Sequence, residues 1–298
     1  QRQMCIRDSK DAELRFAYSH LLLDADDQEG AKQQLRTVIG LDPTNANALY
    51  SLALLELEAK ETRAAERHLK QLLELGEKQQ SVYYYLGYAA QEQGNDANAI
   101  EWYRKVEEGE YWTQSRLHIG KLMVGQGRME EMRAEMRALR RNDPDNAVAI
   151  YLIEGQVLSD LALHDDAYAL YEQALVNNPD NEDLLYSRAL VAEKINRIDL
   201  AEEDMRRILA NDPDNVRTLN ALGYTLADRT NRHAEALQYI QKAFAQKPDD
   251  PAIIDSMGWV HFRLGKLNEA RIYLQLSCDM SGEGEFGAHL GVLLWMQG

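Results

Sequence analysis

The sequence predicts an all-α protein, a right-handed α-solenoid of stacked helix–turn–helix repeats. Two observations carry that expectation. A segment pattern recurs every 33 to 35 residues along the chain, and the composition favours helix throughout. Ala, Leu, Glu, Gln and Arg dominate, β-branched runs are few, and only 6 Pro occur in 298 residues. The clearest copies lie at 221–274. There Leu222-Gly223-Tyr224 returns as Met257-Gly258-Trp259, and each copy is followed by an alanine (Ala236, Ala270) and a second apolar segment. Lys247-Pro248-Asp249-Asp250 stands between them. The order is helix, turn, helix, proline-marked connection.

The chain opens on QRQMCIRDS, which resembles a translated sequencing-adapter remnant. Residues 1–11 are therefore read as a non-native or disordered leader outside the fold. The natural protein is expected to continue at both ends. From Ala12 a single solenoid is expected, with repeats at 12–45, 46–79, 80–112, 113–147, 148–181, 182–215, 216–250 and 251–283, and a partial ninth at 284–298.

The eighth position of each repeat is small: Ser19, Ala53, Gly87, Gly120, Gly155, Ala189, Gly223, Gly258 and Gly291. Twelve residues later another small residue follows, as at Ala31, Ala65, Ala99, Ala167, Ala201 and Ala270. These two positions are expected to face each other where the helices cross, since a bulky residue there would overpack the crossing by about 1–3 kcal/mol. In the seventh repeat Ala236 comes one step late, because the turn at Arg229-Thr230-Asn231-Arg232 holds an extra residue. The fourth repeat departs, with Met132 in place of alanine, which predicts looser or shifted packing. Large apolar residues at the twenty-fourth position, including Leu35, Leu69, Tyr103, Met136, Tyr171, Met205 and Leu274, are assigned to the core.

Four connections share one form: Asp42-Pro43-Thr44-Asn45, Asp143-Pro144-Asp145-Asn146, Asn178-Pro179-Asp180-Asn181 and Asp212-Pro213-Asp214-Asn215. The proline stops one helix, and the Asp or Asn after it is suited to cap the next. Two connections lack this form, Glu107 to Trp112 and Ser281 to Glu285, and are read as local irregularities or hinges.

Chemistry has little to stand on. The net charge of −16 disfavours nucleic acid. The longest basic cluster, Arg137, Arg140 and Arg141, reads as a solvated helix face. The seven histidines (His20, His68, His118, His164, His233, His261, His289) sit at different repeat positions and form no ligand pair. Cys5 and Cys278 have no metal or redox spacing. Acidic clusters such as Asp24-Asp26-Asp27 and Glu202-Glu203-Asp204 fall in turns or at helix starts, where they suit the helix dipole. No nucleophile elbow or phosphate loop is present, and no apolar run approaches a membrane span. The expectation is a protein without catalytic residues, cofactor or metal.

What remains is surface. In stacked helix pairs the first helices line the concave side. Positions 2, 5, 9, 12 and 13 are expected to point into it, which selects Tyr50, Tyr84, Tyr88, Tyr186, Asn220, Tyr224, Asp255, Trp259, Phe262 and Arg263. An aromatic groove with amides and charges suits an extended peptide or a partner helix. The alternative for each ring is core packing between neighbours. Trp259 and Phe262, three apart on one helix face, are the stronger candidates.

The whole run from Ala12 resembles a tetratricopeptide repeat (TPR) protein. Its C-terminal third, at 219–230 (LNALGYTLADRT), 247–259 (KPDDPAIIDSMGW) and 288–294 (AHLGVLL), is similar to a narrower group. These are TPR proteins of Gram-negative bacteria, often encoded beside the outer-membrane lipoprotein-localisation factor. The resemblance implies a periplasmic or outer-membrane-associated scaffold that binds a protein or peptide. An accessory region of a longer enzyme or of a transport or secretion component, and a cytoplasmic assembly adaptor, stand as alternatives. The lysine-bearing clamp with which some TPR domains hold chaperone C-termini is not matched. The fifth position reads Phe16, Tyr50, Tyr84, Leu117, Leu152, Tyr186, Asn220 and Asp255.

Overall fold

A computed structural model describes residues 11–281 and 287–297. Most of the connection from Ser281 to Glu285, the start of the ninth repeat near Gly284 and most of the leader lie outside them. Asp11 lies inside: its carboxylate accepts from the N–H groups of Glu13 and Leu14 and caps the first helix.

The described residues form helices and no strands. They pair as α1 (Ala12–Asp24) with α2 (Gln28–Leu41), α3 (Ala46–Glu58) with α4 (Thr62–Leu75), α5 (Gln79–Glu92) with α6 (Asp96–Arg104), and α7 (Trp112–Gly125) with α8 (Met129–Asn142). Then follow α9 (Ala147–Asp160) with α10 (His164–Asn177), α11 (Glu182–Lys194) with α12 (Ile198–Asn211), α13 (Val216–Arg229) with α14 (His233–Gln246), and α15 (Pro251–Arg263) with α16 (Leu267–Ser281). α17 (Gly287–Gln297) follows alone. The chain falls into two compact parts, Gln1–Glu135 and Met136–Gly298.

The turns inside the pairs follow one rule. Seven of them place a residue in the left-handed region: Asp26, Lys60, Gly94, Gly127, Ala162, Asn196 and Gly265, with φ between 58 and 76°. The seventh pair alone has no such residue. Its extra turn residue lets Thr230 stay extended (φ −136°, ψ 178°), while the Thr230 hydroxyl caps the Leu226 carbonyl. An added residue thus relieves the left-handed strain that a non-glycine residue otherwise meets there.

Between pairs, Asn45, Asn181 and Asn215 each cap the next helix by accepting a backbone N–H three residues on. Asn146 does not. Its ψ of 10° is far from the extended 91–116° of two of its counterparts, and its amide turns back to Asp143. The connection after α4 also lacks a proline and turns on Gly76 (φ 75°) and Lys78 (φ 51°).

The core lies between the helices of each pair and between successive pairs. The predicted twenty-fourth-position residues are all buried. The small eighth position has a sharper cause than expected. A Cβ on Gly87 would stand 2.6 Å from the Tyr103 ring, and one on Gly258 2.6 Å from Leu274 Cγ. Gly155 faces Tyr171 and Gly223 faces Ile240 in the same way. The eighth position is small chiefly because the twenty-fourth-position side chain lies over it. Gly223 also meets the backbone of the expected alanine, 3.0 Å from the Ala236 carbonyl oxygen.

In the fourth repeat Met132 is fully buried.

Within the second part, first helices also touch one another, α9 against α11 and α13 against α15. This layer carries most of the candidate site residues. Behind it, buried Asp204 accepts both arms of Arg188 at 2.6 and 2.8 Å, joining α11 to α12.

Candidate functional site

In the first part the candidate tyrosines gather with two residues that the repeat register did not select. α3 supplies Tyr50, and α5 supplies Tyr84, Tyr85 and Tyr88. The irregular connection after α6 supplies Tyr111. This connection is built rather than loose: Val106 is fully buried, and its carbonyl accepts from the Arg116 guanidinium at 2.8 Å. It holds Tyr111 flat against Tyr84 (ring centres 4.5 Å apart, 18° between planes) and edge-on to Tyr85 at 5.3 Å. The hydroxyls of Tyr85 and Tyr111 bond at 3.0 Å, and Tyr50 meets Tyr85 edge-on at 5.9 Å. Tyr84, Tyr85, Tyr88 and Tyr111, with Leu54, Leu57 and Glu58, line a pocket of about 340 Å³.

Beneath this cluster lies Tyr103, fully buried, its hydroxyl donating to Gln91. His118 stacks on it at 4.9 Å. Burial holds the His118 imidazole below its ordinary range, with Lys121 adding to the effect. Burial also pushes the Tyr103 and Tyr111 hydroxyls far above the ordinary tyrosine range.

In the second part Tyr186 stands apart. The Arg217 guanidinium lies 4.1 Å over its ring and is held there by Glu182 and Asp183 at 3.0 and 2.9 Å. One face of that ring is occupied.

Asn220 and Tyr224 on α13 and Asp255 on α15 converge instead. With Ala252, Ser256, Ala288 and His289 they line a pocket of about 370 Å³. His289, on α17, is the residue that periodicity could not rank, and it organises the group. Its Nδ1 lies 2.6 Å from Asp255 Oδ2 and its Nε2 3.3 Å from the Tyr224 hydroxyl. Its ring stacks on Trp259 at 4.2 Å. Burial, followed by the charges of Asp228, Asp255 and Glu193, pushes the Tyr224 hydroxyl up to about 12.

Trp259 and Phe262 are adjacent as expected, stacked at 5.0 Å, but they do not form an open face. Trp259 is only 8% exposed, sandwiched between Phe262 and His289, and its N–H donates to Asp228 at 3.2 Å. Phe262 packs with Leu290 on the small core formed by Ala270, Leu274 and Leu293. α17 covers both rings because a first helix of a further repeat stacks on the last complete pair. Arg263 donates to the Asp228 carbonyl at 2.7 Å and so braces the same corner. Among the described residues no group of three or more His, Cys, Asp or Glu is placed to hold a metal ion. No helix among them is long and apolar enough to cross a membrane.

Comparison with known proteins agrees with this architecture. The family model described as tetratricopeptide repeat matches residues 57–115, 152–216 and 186–251, together more than half of the chain. The TPR repeat-containing protein PA4667 of Pseudomonas aeruginosa is 39% identical over 211 residues, which cover 71% of this chain and 36% of that protein. Bacteriophage adsorption protein A of Escherichia coli K12 is 29% identical over 104 residues, covering 35% of this chain and 10% of that one. The chain therefore spans about a third and about a tenth of the lengths of these relatives. A tetratricopeptide repeat protein from Parabacteroides merdae shares the fold, with a TM-score of 0.53 at 13% identity, over 95% of this chain and 98% of that one. The constant period, the paired helices, the small eighth position under a large twenty-fourth and the family match lead to one conclusion: the chain belongs to the tetratricopeptide repeat family, whose repeats mediate protein–protein interaction.

Proposed function

We propose that this protein is a non-enzymatic scaffold that binds an extended segment or a helix of a partner protein along its first helices. One observation carries the reading. Fifth- and ninth-position residues of successive repeats, Asn220, Tyr224 and Asp255, converge on one surface pocket of about 370 Å³. A repeat surface that gathers polar and aromatic side chains from neighbouring helices is suited to reading a chain laid across it. The tyrosine pocket offers a second, more apolar seat of the same kind. Tyr88→Ala and Tyr224→Ala test this better than changes at Trp259 or Phe262, which belong to the packed core. Protein captured from the native host by the wild type should be lost or reduced with these variants. Equal recovery of every partner would refute groove binding.

The proposed address is the cell envelope, periplasmic or outer-membrane associated. Support comes from the resemblance of the C-terminal third to envelope TPR proteins and from a relative named for bacteriophage adsorption. Fractionation of a Gram-negative host expressing the complete reading frame should place the protein outside the cytoplasm. Recovery only in the cytosol would favour the adaptor reading. A second reading, an accessory region within a longer enzyme or transport component, is favoured by the relative of which this chain spans 36%. A catalytic or membrane domain in the complete reading frame would establish it.

A further inference from the structure

The pocket at Asn220, Tyr224, Asp255 and His289 is deficient in donors. Asp255 is 5% exposed. One of its carboxylate oxygens is held by His289, and the other, Oδ1, is buried with no hydrogen-bond partner. The Asn220 side-chain oxygen is also buried and without a partner. Leaving a buried acceptor unpaired forfeits its hydration without return, so two in one pocket call for an explanation.

The nearby donors are already committed. The Ser256 hydroxyl donates to the Ala252 carbonyl at 2.9 Å, and the Trp259 N–H donates to Asp228. Both ring nitrogens of His289 are engaged, Nδ1 with Asp255 and Nε2 with the Tyr224 hydroxyl, so the imidazole has no further N–H to give. The inner wall thus presents two acceptors, one of them a carboxylate oxygen, beside aromatic surface. The lining residues include no lysine or arginine. On α15 the guanidinium of Arg263 is turned to Asp228.

The geometry points to a cationic side chain of the bound partner segment, an arginine or a lysine, as the occupant of this pocket, its N–H donors satisfying Asp255 Oδ1 and Asn220 Oδ1. A guanidinium suits the site best, since its planar fork can serve two acceptors at once and its face can lie on an aromatic ring. The assignment rests on the segment-binding reading and specifies what the segment must carry.

The test uses immobilised peptide pools that are degenerate except at a fixed central residue: arginine, lysine, citrulline or glutamate. Citrulline keeps the shape of arginine and removes its charge. The protein should retain the arginine and lysine pools on the order of tenfold better than the citrulline pool, and Asp255→Asn should abolish the difference. Free arginine amide, but not citrulline amide, should shift the Trp259 indole N–H signal of the wild-type protein, which keeps the test valid if the variant does not fold. Equal retention of the arginine, citrulline and glutamate pools refutes the cationic pocket while leaving segment binding intact. Retention of no pool, with no shift of the indole signal, overturns both.

Discussion

The tyrosine cluster of the first part and the Asp255 pocket of the second are built from equivalent first-helix positions, yet they are finished in opposite ways. Around Tyr84 the polar atoms satisfy one another: the Tyr85 and Tyr111 hydroxyls pair, Tyr103 finds Gln91, and rings cover rings. Around Asp255 the network stops short, leaving two oxygens without donors. The first arrangement contributes stability and shape. The second leaves two acceptors for which the proposed partner segment would supply the donors. On that reading one repeat scaffold separates a seat that accepts by fit from a seat that accepts by charge.

The strongest way to break the comparison is Tyr103→Ala. Removing a fully buried ring from under Tyr84 and His118 should cost about 3–5 kcal/mol. Hydrogen exchange should show lost protection across α5 to α7, while the region around Asp255 keeps its own. Repeat arrays unfold by neighbouring units, so the local readout matters more than a single midpoint. Gly258→Val makes the reciprocal change. Its Cβ would meet Leu274 at 2.6 Å, and overpacking should cost about 1–3 kcal/mol in α15 and α16. Pocket binding should weaken there with the tyrosine cluster intact.

A milder change sharpens the contrast. Tyr111→Phe removes one hydroxyl from a closed network and should cost about 1 kcal/mol in denaturant-measured stability. The smallest effect is a dependence on pH. Burial holds the His118 pKa below its ordinary 6.5, so the folded state binds fewer protons than the unfolded one. The stability of the first part should be full above about pH 6.5 and fall as the pH drops below it. His118→Phe, which keeps a ring on Tyr103, should flatten that slope in denaturation curves taken on either side of 6.5. The lowered pKa of His261 gives the second part a slope of the same sign, which this substitution leaves in place.

Periodicity revealed what depends on periodicity. Helix pairs, the small eighth position, the buried twenty-fourth and three of the four asparagine caps could be read from spacing, because each is a backbone-level requirement repeated along the chain. Tyr111 was hidden because it stands in a connection without the proline-marked form, outside the first-helix positions that the register selects. His289 was hidden because its importance comes from three partners on two other helices, none of them near it in sequence. Trp259 and Phe262 were correctly seen as neighbours. Their burial depends on the helix stacked over them, and no local pattern reports that. Asn146 shows the same limit at small scale: its residue type matched a cap, and its backbone angle did not.

The glycine contacts have a consequence for sequence change. The eighth and twenty-fourth positions divide a single volume between them: Gly with Tyr in the third and fifth repeats, Ala with Leu in the second, Ala with Met in the sixth, Gly with Leu in the eighth. Neither residue of such a pair can drift alone by much, since growth at one demands shrinkage at the other. Substitutions along this chain are therefore expected to occur in matched doubles within a repeat. Shuffling whole repeats should be easier than exchanging single residues between them.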